Sequence, residues 1–184
     1  MTNINFTPFP TLTTEGLSLR KIKSEDLNEF FILKSDERLV RCYNAKAKTY
    51  EEARLKLQQL NDDIMKNESI TWGITLENEK ELIGSICFWN ISEENSKAEI
   101  GYELMFNWQG RGIMKAAIKS VIEYGFKVMK LQLIEAFPNT NNSKSVKLLE
   151  KSNFKKKLNF YKTDSSNGII LERVIYSLIN DDSR

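Results

Sequence analysis

Three β-type runs of residues follow one another in the middle of the chain, separated by two short polar turns. Turns this short join antiparallel strands, whereas parallel neighbours need a crossover of about a dozen or more residues. The middle of the chain therefore predicts an antiparallel meander, which commits the fold to a sheet. The runs cover residues 70–76, 82–91 and 98–106, and the turns cover residues 77–80 and 92–96.

The segment before the meander contributes a strand and two helices. Residues 17–22 alternate apolar and polar side chains, which predicts a strand. Ser24 ahead of Asp26 is typical of a helix start. Thr49 followed by two glutamates indicates the start of a longer helix, because a threonine cap and acidic residues suit a helix N-terminus.

The C-terminal half alternates helices and strands and closes with two strands that we expect to form a hairpin. With the earlier elements, this order predicts an α/β fold of the α+β type, built as one domain over residues 1–184. The predicted segments are a helix over residues 112–128, a strand over 131–137, a helix over 143–152, and strands around Tyr161 and over 169–179 with a turn over 164–168.

The chain contains no histidine, and this absence narrows its chemistry. It excludes Ser-His and Cys-His nucleophile pairs and the common imidazole zinc sites, so we expect no metal. The two cysteines, Cys42 and Cys87, form no CxxC pair, and we expect both to be small buried apolar residues without a disulfide. Acid–base chemistry must then come from carboxylates, hydroxyls, tyrosine or lysine.

Charge and hydropathy indicate where the protein works. The formal net charge is +2 and the lysines are interspersed with acids, which does not favour nucleic-acid binding. No stretch approaches the roughly 20 apolar residues that cross a membrane. The first 12 residues lack the basic-then-apolar pattern of a signal peptide. We therefore expect a cytoplasmic protein that engages neither nucleic acid nor a membrane.

A glycine-rich turn, Gln-Gly-Arg-Gly at residues 109–112, joins the strand over 98–106 to the next helix. Its glycines allow the backbone to approach a ligand closely. The free N–H groups of the first helical turn favour an anion such as a pyrophosphate, and Arg111 and Lys115 flank it on one helix face. The alternative is a tight turn with a packing glycine. A nucleotide site is disfavoured, because the Lys-Ser/Thr of a P-loop and a full G-x-G-x-x-G are both missing.

Two motifs carry a family resemblance. Residues 109–114, Gln-Gly-Arg-Gly-Ile-Met, resemble the Q/R-x-x-G-x-G/A signature of the GNAT acetyltransferase superfamily, with Met114 in place of the final small residue. Residues 142–154 resemble a second signature, N-x-x-S-x-x-x-L-E-K-x-G-F, which is typical of the RimJ/RimL branch of ribosomal-protein N-terminal acetyltransferases and their relatives. Residues 98–104 also resemble that branch, and the similarity spans about residues 17–178.

The resemblance implies the GNAT fold, a mixed, mostly antiparallel central sheet of about six to seven strands with helices on both faces. In that fold the strand before the first signature splays from the next parallel strand, and acetyl-CoA lies in the V-shaped gap. Strand backbone groups pair with the pantetheine arm, and the turn holds the pyrophosphate. The residues so implied are Glu103, Leu104 and Met105 on the strand, Gln109, Gly110, Arg111, Gly112, Ile113 and Met114 in the turn, Asn142 beside the pantetheine, and Ser145 near the thioester sulfur.

The chain departs from the family pattern at its general acid. Many GNAT enzymes have a tyrosine at the position of Leu149, and RimJ/RimL relatives commonly lack it. Ser145, or water held by it, is then the substitute candidate. Asn153 stands where the family has glycine, and asparagine tolerates the left-handed conformation well.

Because the chain has no histidine, a carboxylate is the simplest group to accept the proton of the amine substrate, directly or through water. Glu99 and Glu103 lie on the same side of one strand by two-residue alternation. Several GNAT enzymes carry their base at the position of Glu99, and the alternative for this residue is a solvent-facing strand glutamate. Glu103 is the second candidate base and the better cofactor-side contact. A backbone N–H near Met105 is the expected donor to the oxyanion.

The expected function is transfer of an acetyl group from acetyl-CoA to a primary amine, with a protein N-terminus as the acceptor in the RimJ/RimL manner. The alternatives are a small-molecule acetyltransferase acting on a polyamine, an amino acid or an antibiotic, and a non-catalytic acyl-CoA-binding module. Residues 41–44 and Trp89 are candidates to border the acceptor. A monomer and a homodimer are both compatible with the sequence. Lys144, Lys147 and Lys151 either reach the phosphates or form a solvated basic face.

Overall fold

A computed structural model of the protein describes residues 4–181 except residue 15, residue 44 and residues 164–169. The strands are β1 (Leu12–Thr14), β2 (Leu17–Lys21), β3 (Ile70–Leu76), β4 (Gly84–Ser92), β5 (Lys97–Leu104), β6 (Leu133–Ala136), β7 (Lys155–Thr163) and β8 (Ile170–Ile179). The helices are α1 (Leu27–Ser35), α2 (Glu37–Val40), α3 (Tyr50–Met65), α4 (Ile113–Lys127) and α5 (Ser143–Lys151). Short 3-10 turns cover Ser24–Asp26, Arg41–Tyr43 and Phe106–Trp108.

The strands form one sheet in the order β1-β2-β3-β4-β5-β6-β8-β7. Strands β3, β4 and β5 are an antiparallel meander, which confirms the prediction for the middle of the chain. Among the described strands, only the neighbours β5 and β6 run parallel. The sheet is therefore mixed and mostly antiparallel, as expected, but it has eight strands. The extra strand is β1, which has only three residues and shows no readable alternation.

Helices cover both faces of the sheet, and the alternation along β5 shows it. Ala98 and Ile100 pack into a core that also contains Tyr124 of α4. Glu103, an odd number of residues further along, forms an ion pair with Lys34 of α1 on the opposite face. A second core lies on that face between α1, α3 and the start of β4, and it contains Phe30, Leu33, Ala53, Leu57 and Leu82.

The helix starts follow the capping signals, with one shift. At α3 the Thr49 hydroxyl accepts the N–H of Glu52, and the Glu52 carboxylate accepts the N–H of Thr49, which confirms the predicted start. The start near Ser24 lies further along, because residues 24–26 form a 3-10 turn and α1 begins at Leu27. The carboxylate of Asp26 accepts the N–H of Lys23 and so closes that turn.

Two further expectations concern the burial of the cysteines and the hairpin turn near the C-terminus. Cys42 is exposed, so the prediction that both cysteines are buried is wrong for this residue, while Cys87 is half-buried. The predicted hairpin turn over residues 164–168 lies outside the described residues, although β7 and β8 on either side of it pair antiparallel. Within the part of the chain that the structure describes, no helix combines the length and the apolar character needed to cross a membrane.

Candidate active site

Strands β5 and β6 diverge after a short stretch of parallel pairing. They pair through residues 97–99 and 133–135, whereas β5 continues to Leu104 and β6 to Ala136. The two strands therefore open a gap beyond Glu99. Helix α4 follows β5 and helix α5 follows β6, so the N-termini of both helices lie beside this gap. This is the splayed arrangement that the family resemblance implied.

Two cavities lie along the gap. The larger cavity, of about 730 Å³, is bordered by the glycine turn and by the start of α5. The smaller cavity, of about 300 Å³, is bordered by β4, β5 and the residues that follow β6. Four residues line both cavities, so the two spaces meet where these side chains lie. They are Tyr102, Glu103, Asn142 and Ser145.

The hydrogen-bond phase of β5 decides which backbone groups face the gap. The N–H of Met105 donates to the carbonyl of Ile83 on the β4 side at 2.9 Å. Backbone groups alternate between the two edges of a strand, so those of Leu104 and Tyr102 point toward the gap. Met105 lines neither cavity, and its N–H is already used. The expectation of an oxyanion donor near Met105 is therefore wrong for Met105 itself, whereas the backbone of the neighbouring Leu104 faces the gap.

The side chain of Gln109 spans the mouth of the larger cavity. Its Nε2 donates to the carbonyl of Leu104 at 3.1 Å, and its Oε1 accepts from Lys144 Nζ at 3.1 Å. Gln109 thus joins the end of β5 to the start of α5. The same contact shows that the carbonyl of Leu104 faces the gap, because the Gln109 amide reaches it from that side.

The glycine turn leaves open space and an N-terminus without a side-chain cap at the start of α4. Gly110 and Gly112 have φ values of +79° and +81°, which L side chains rarely adopt, and a Cβ at either position would enter open space beside the turn. No side chain within the described residues caps the start of α4, and its first turn contains no acidic residue. The N–H groups of this turn are therefore available to an anion.

Of the six residues predicted in the turn, five line the larger cavity, and these are Gln109, Gly110, Gly112, Ile113 and Met114. Arg111 does not line it, because its guanidinium lies over the ring of Trp108, 4.9 Å from the centroid. Four lysines complete the rim, and these are Lys115, Lys144, Lys147 and Lys151. The three lysines of α5 thus border the cavity rather than only a solvated face, and they give it a positive rim.

Asn142 has a more structural position than the sequence predicted. Its Oδ1 accepts the N–H of Ser145 at 3.2 Å and so caps α5. Its Nδ2 donates to the carbonyl of Cys42 at 3.4 Å, and Asn139 Nδ2 donates to the same carbonyl at 3.0 Å. The side-chain amide of Asn142 therefore joins α5 to the segment after α2, while the residue still lines both cavities.

Tyr102 is the site residue that the sequence reasoning missed. Its hydroxyl lies 2.9 Å from the Ser145 hydroxyl, at the junction of the two cavities. Burial raises the pKa of Tyr102 to about 12, so the phenol is neutral at physiological pH. The sequence offered one indication of this role, because Tyr102 lies in the segment over residues 98–104 that resembles the RimJ/RimL branch. Leu149, the position of the missing family tyrosine, is fully buried and lines the smaller cavity.

Glu99 lies in the smaller cavity, half-buried, near the base of the gap. Its Oε1 accepts a hydrogen bond from Asn90 Nδ2 at 2.5 Å, which leaves its other oxygen available to a proton donor. Trp89 precedes Asn90, is 51% exposed and lines the same cavity. The alternative of a solvent-facing strand glutamate therefore fits Glu99 less well than the position of a base that the family resemblance implied.

Glu103 is held by protein partners. Its Oε1 accepts from Lys34 Nζ at 2.5 Å and from the Ser85 hydroxyl at 2.9 Å, and only 8% of its side chain is exposed. Glu99 and Glu103 share a face of β5, as alternation predicted, but their environments differ. The carboxylate of Glu103 is thus occupied by contacts to α1 and β4, which favours a structural contribution.

Cys87 lies on β4 and lines the smaller cavity. Burial raises the pKa of its thiol to about 11, so the thiol remains protonated near neutral pH. A protonated thiol is a poor nucleophile, because the thiolate is the reactive form.

Outside the gaps at residues 15, 44 and 164–169, the structure between residues 4 and 181 contains no group of three or more His, Cys, Asp or Glu side chains placed to hold a metal.

Comparison with known proteins assigns the family. A model of the Acetyltransferase (GNAT) domain matches residues 17–155. The uncharacterized N-acetyltransferase p20 of Bacillus licheniformis is 32% identical over 170 residues, which cover 92% of this chain and 96% of p20. The chain belongs to the GNAT acetyltransferase family, and it is an N-acetyltransferase.

Solved structures narrow the position within the family. The ribosomal-protein-S5-alanine acetyltransferase of Vibrio fischeri superimposes with a TM-score of 0.82 at 27% identity, over 95% of this chain and 99% of that one. The chain lies in the RimJ/RimL-like branch. The spermidine N-acetyltransferase of Vibrio cholerae, solved in complex with CoA and spermine, has a TM-score of 0.78 at 20% identity, over 89% of this chain and 95% of that one, and this likeness shows the fold alone.

Proposed function

We propose that the protein transfers an acetyl group from acetyl-CoA to the amine of a protein N-terminus. The observation that carries this proposal is the meeting of two cavities at Tyr102, Glu103, Asn142 and Ser145, in a gap between two parallel strands. In this assignment the larger cavity receives acetyl-CoA and the smaller cavity receives the amine. The thioester then lies at the junction.

Acetyl-CoA fits the chemistry of the larger cavity. The molecule has a pyrophosphate and a further phosphate, and the cavity offers the N–H groups at the start of α4 together with a rim of four lysines. Its pantetheine arm contains amide groups that match the backbone of Leu104, which faces the gap. The carbonyl of Leu104 exchanges its contact with Gln109 for the pantetheine, while Gln109 keeps its contact with Lys144.

We assign the general base to Glu99, because it lies in the smaller cavity with one oxygen held by Asn90. Glu103 is tied to Lys34 and Ser85 and is left with a structural role. The N–H groups of Tyr102 and Leu104 face the gap and are the candidates to stabilise the oxyanion.

The reaction balances with one proton released. Glu99 takes a proton from the ammonium, directly or through water, and the free amine attacks the thioester carbon. The C–S bond breaks and its electron pair stays on sulfur, to which the Ser145 hydroxyl donates a hydrogen bond. The nitrogen loses its second proton as the amide forms, and the sulfur gains one proton as CoA leaves. We assign a direct transfer, since burial raises the pKa of the Cys87 thiol to about 11 and so disfavours the thiolate that an acyl-enzyme would need.

The acceptor assignment is supported by the likeness to the ribosomal-protein-S5-alanine acetyltransferase, which exceeds 25% identity over nearly the whole chain. The rival acceptor is a small amine such as a polyamine. Either acceptor would present one ammonium group to Glu99. The two acceptors differ in the rest of the molecule, which would extend past Trp89 at the exposed side of the smaller cavity.

The test measures thiol release from acetyl-CoA in the presence of short peptides with N-terminal alanine or serine, with spermidine, or with free amino acids. We expect turnover with at least one peptide and none with the same peptide carrying a blocked N-terminus. Turnover with spermidine and not with peptides would move the acceptor to the small-molecule class. Tight acetyl-CoA binding without turnover on any amine would support a binding module instead.

A further inference from the structure

The contact between Tyr102 and Ser145 joins two hydroxyl groups at the point where both substrates must meet. Tyr102 extends from β5 and Ser145 lies in the first turn of α5, and the two oxygens are 2.9 Å apart. Both residues line both cavities. The pair therefore lies at the junction of the two cavities, where the proposed function places the reacting atoms.

The direction of this hydrogen bond determines what Ser145 can do. A hydroxyl carries one hydrogen, so Ser145 can donate to a ligand only if it does not donate to Tyr102. The phenol is the stronger acid of the two groups and hence the better donor, while the serine alcohol is the better acceptor. Tyr102 therefore donates and Ser145 accepts. The N–H of Ser145 is bound to Asn142 Oδ1, which fixes the serine backbone at the same time.

We propose that Tyr102 is a positioning residue. Its hydroxyl donates to the Ser145 oxygen from the β5 side and thereby directs the Ser145 hydrogen toward the departing sulfur. This inference rests on the proposed function. Tyr102 exchanges no proton in the step. It acts through Ser145, whose hydrogen bond stabilises the electron pair left on sulfur when the C–S bond breaks. An ionised Tyr102 could not donate, and its pKa of about 12 keeps it protonated.

The same geometry explains how the chain functions with leucine at position 149. Leu149 is fully buried and presents an apolar wall to the smaller cavity. A phenol is nevertheless present at the junction, but it comes from strand β5 instead of helix α5. The tyrosine of this site is thus paired with a serine, and the two hydroxyls act as a unit.

The experiment compares Tyr102→Phe, Ser145→Ala and the double variant. We expect each single variant to lower kcat about tenfold, which is the loss of about one hydrogen bond in the transition state. The double variant should be within about twofold of Ser145→Ala, because removing one partner already removes the unit. Direct calorimetric binding of acetyl-CoA should remain within about twofold of the wild-type value. Tyr124→Phe is the matched control, since Tyr124 lies in the core on α4, away from both cavities.

A second measurement applies if Tyr102→Phe unfolds. Replacement of Tyr102 by a fluorinated tyrosine keeps the shape and lowers the phenol pKa. We expect a fall in kcat at alkaline pH that the wild-type protein does not show, because ionisation removes the donor. An unchanged pH profile would overturn the inference. So would additive losses of kcat in the double variant, or a normal kcat in Tyr102→Phe when Ser145→Ala lowers kcat. Absence of turnover in the wild-type protein with every amine would instead overturn the proposed function.

Discussion

The Lys34 ammonium and the Glu103 carboxylate form a largely buried ion pair that joins α1 to β5 at the wall of the smaller cavity. The Ser85 hydroxyl donates to the same carboxylate oxygen. Three elements, α1, β4 and β5, are thus connected through one side chain. This arrangement separates the two glutamates of β5, since Glu103 is bound by an ammonium and a hydroxyl whereas Glu99 accepts a hydrogen bond from the Asn90 amide.

Glu103→Gln separates a structural role from a catalytic one. We expect the free energy of unfolding to fall by about 2 kcal/mol, because Lys34 loses a charged partner in a place with little solvent. Turnover at saturating substrates should remain within about threefold of the wild-type value. Urea unfolding and thiol-release kinetics measure the two quantities. A loss of turnover equal to that of Glu99→Gln would return Glu103 to the role of base.

Glu99→Gln tests the base itself. We expect kcat at neutral pH to fall about 100-fold, since a glutamine cannot accept the proton of the ammonium. The calorimetric affinity for acetyl-CoA should not change, because Glu99 lines only the smaller cavity. Asn90→Ala is the companion variant and should reduce kcat less, as it removes only the hydrogen bond that holds the carboxylate. Turnover that is unchanged across the pH range in Glu99→Gln would remove this residue from the mechanism.

Most of the fold was predictable because its strands and helices have clear hydrophobic periods and short connections. The meander and the capping box at Thr49 were confirmed, and the glycine turn joins β5 to α4 as predicted. Strand β1 was missed because three residues are too few to show alternation. The exposure of Cys42 was also missed, because composition gives only the average burial of a cysteine and not its position.

The site was harder to predict than the fold. The family motifs predicted the turn, Asn142 and Ser145 as site residues, but not the contact of Ser145 with Tyr102, which is 43 positions away in another element. Alternation along β5 places Tyr102 on the side opposite Glu99, so alternation alone does not show that the two residues line one cavity. The error at Met105 had a similar cause, because the hydrogen-bond phase of a strand depends on the register of its neighbour.

Gly112→Ala probes the phosphate turn, and Gly16→Ala is its matched control. Both glycines have a positive φ, at +81° and +77°, and a Cβ at either position meets no atom within 4 Å. Each variant should therefore lose about 1 kcal/mol of unfolding free energy through backbone strain alone. Only Gly112→Ala should also weaken acetyl-CoA binding, because its methyl group enters the space beside the turn. Equal affinities in calorimetry would show that the turn does not contact the phosphates.

Cys87→Ala tests direct transfer against an acyl-enzyme. We expect turnover to persist and initial-rate patterns to intersect, because both substrates must be bound before reaction. At pH 8, a thiol with a pKa of about 11 is ionised in about one molecule in a thousand. Iodoacetamide should therefore label the exposed Cys42 well before Cys87, as measured by peptide mass spectrometry. Parallel initial-rate lines together with acetyl-labelled Cys87 would contradict direct transfer.

Asp26→Asn tests the ion pair that fixes the start of α1. Arg20 donates to both carboxylate oxygens of Asp26 at 2.7 Å, and the N–H of Lys23 adds a third bond. Burial acts to raise the pKa of Asp26, but the bonds from Arg20 and Lys23 outweigh it and the pKa is lowered. The stabilisation is therefore present above the unfolded-state pKa of about 4 and is lost as pH falls through the lower folded-state value.

We expect Asp26→Asn to lose about 2 kcal/mol in urea unfolding at pH 7 and progressively less below about pH 4. Glu51→Gln, which breaks an exposed pair with Arg54, should change little at either pH. A deficit in Asp26→Asn that is the same at pH 7 and pH 3 would show that the carboxylate charge does not stabilise this turn.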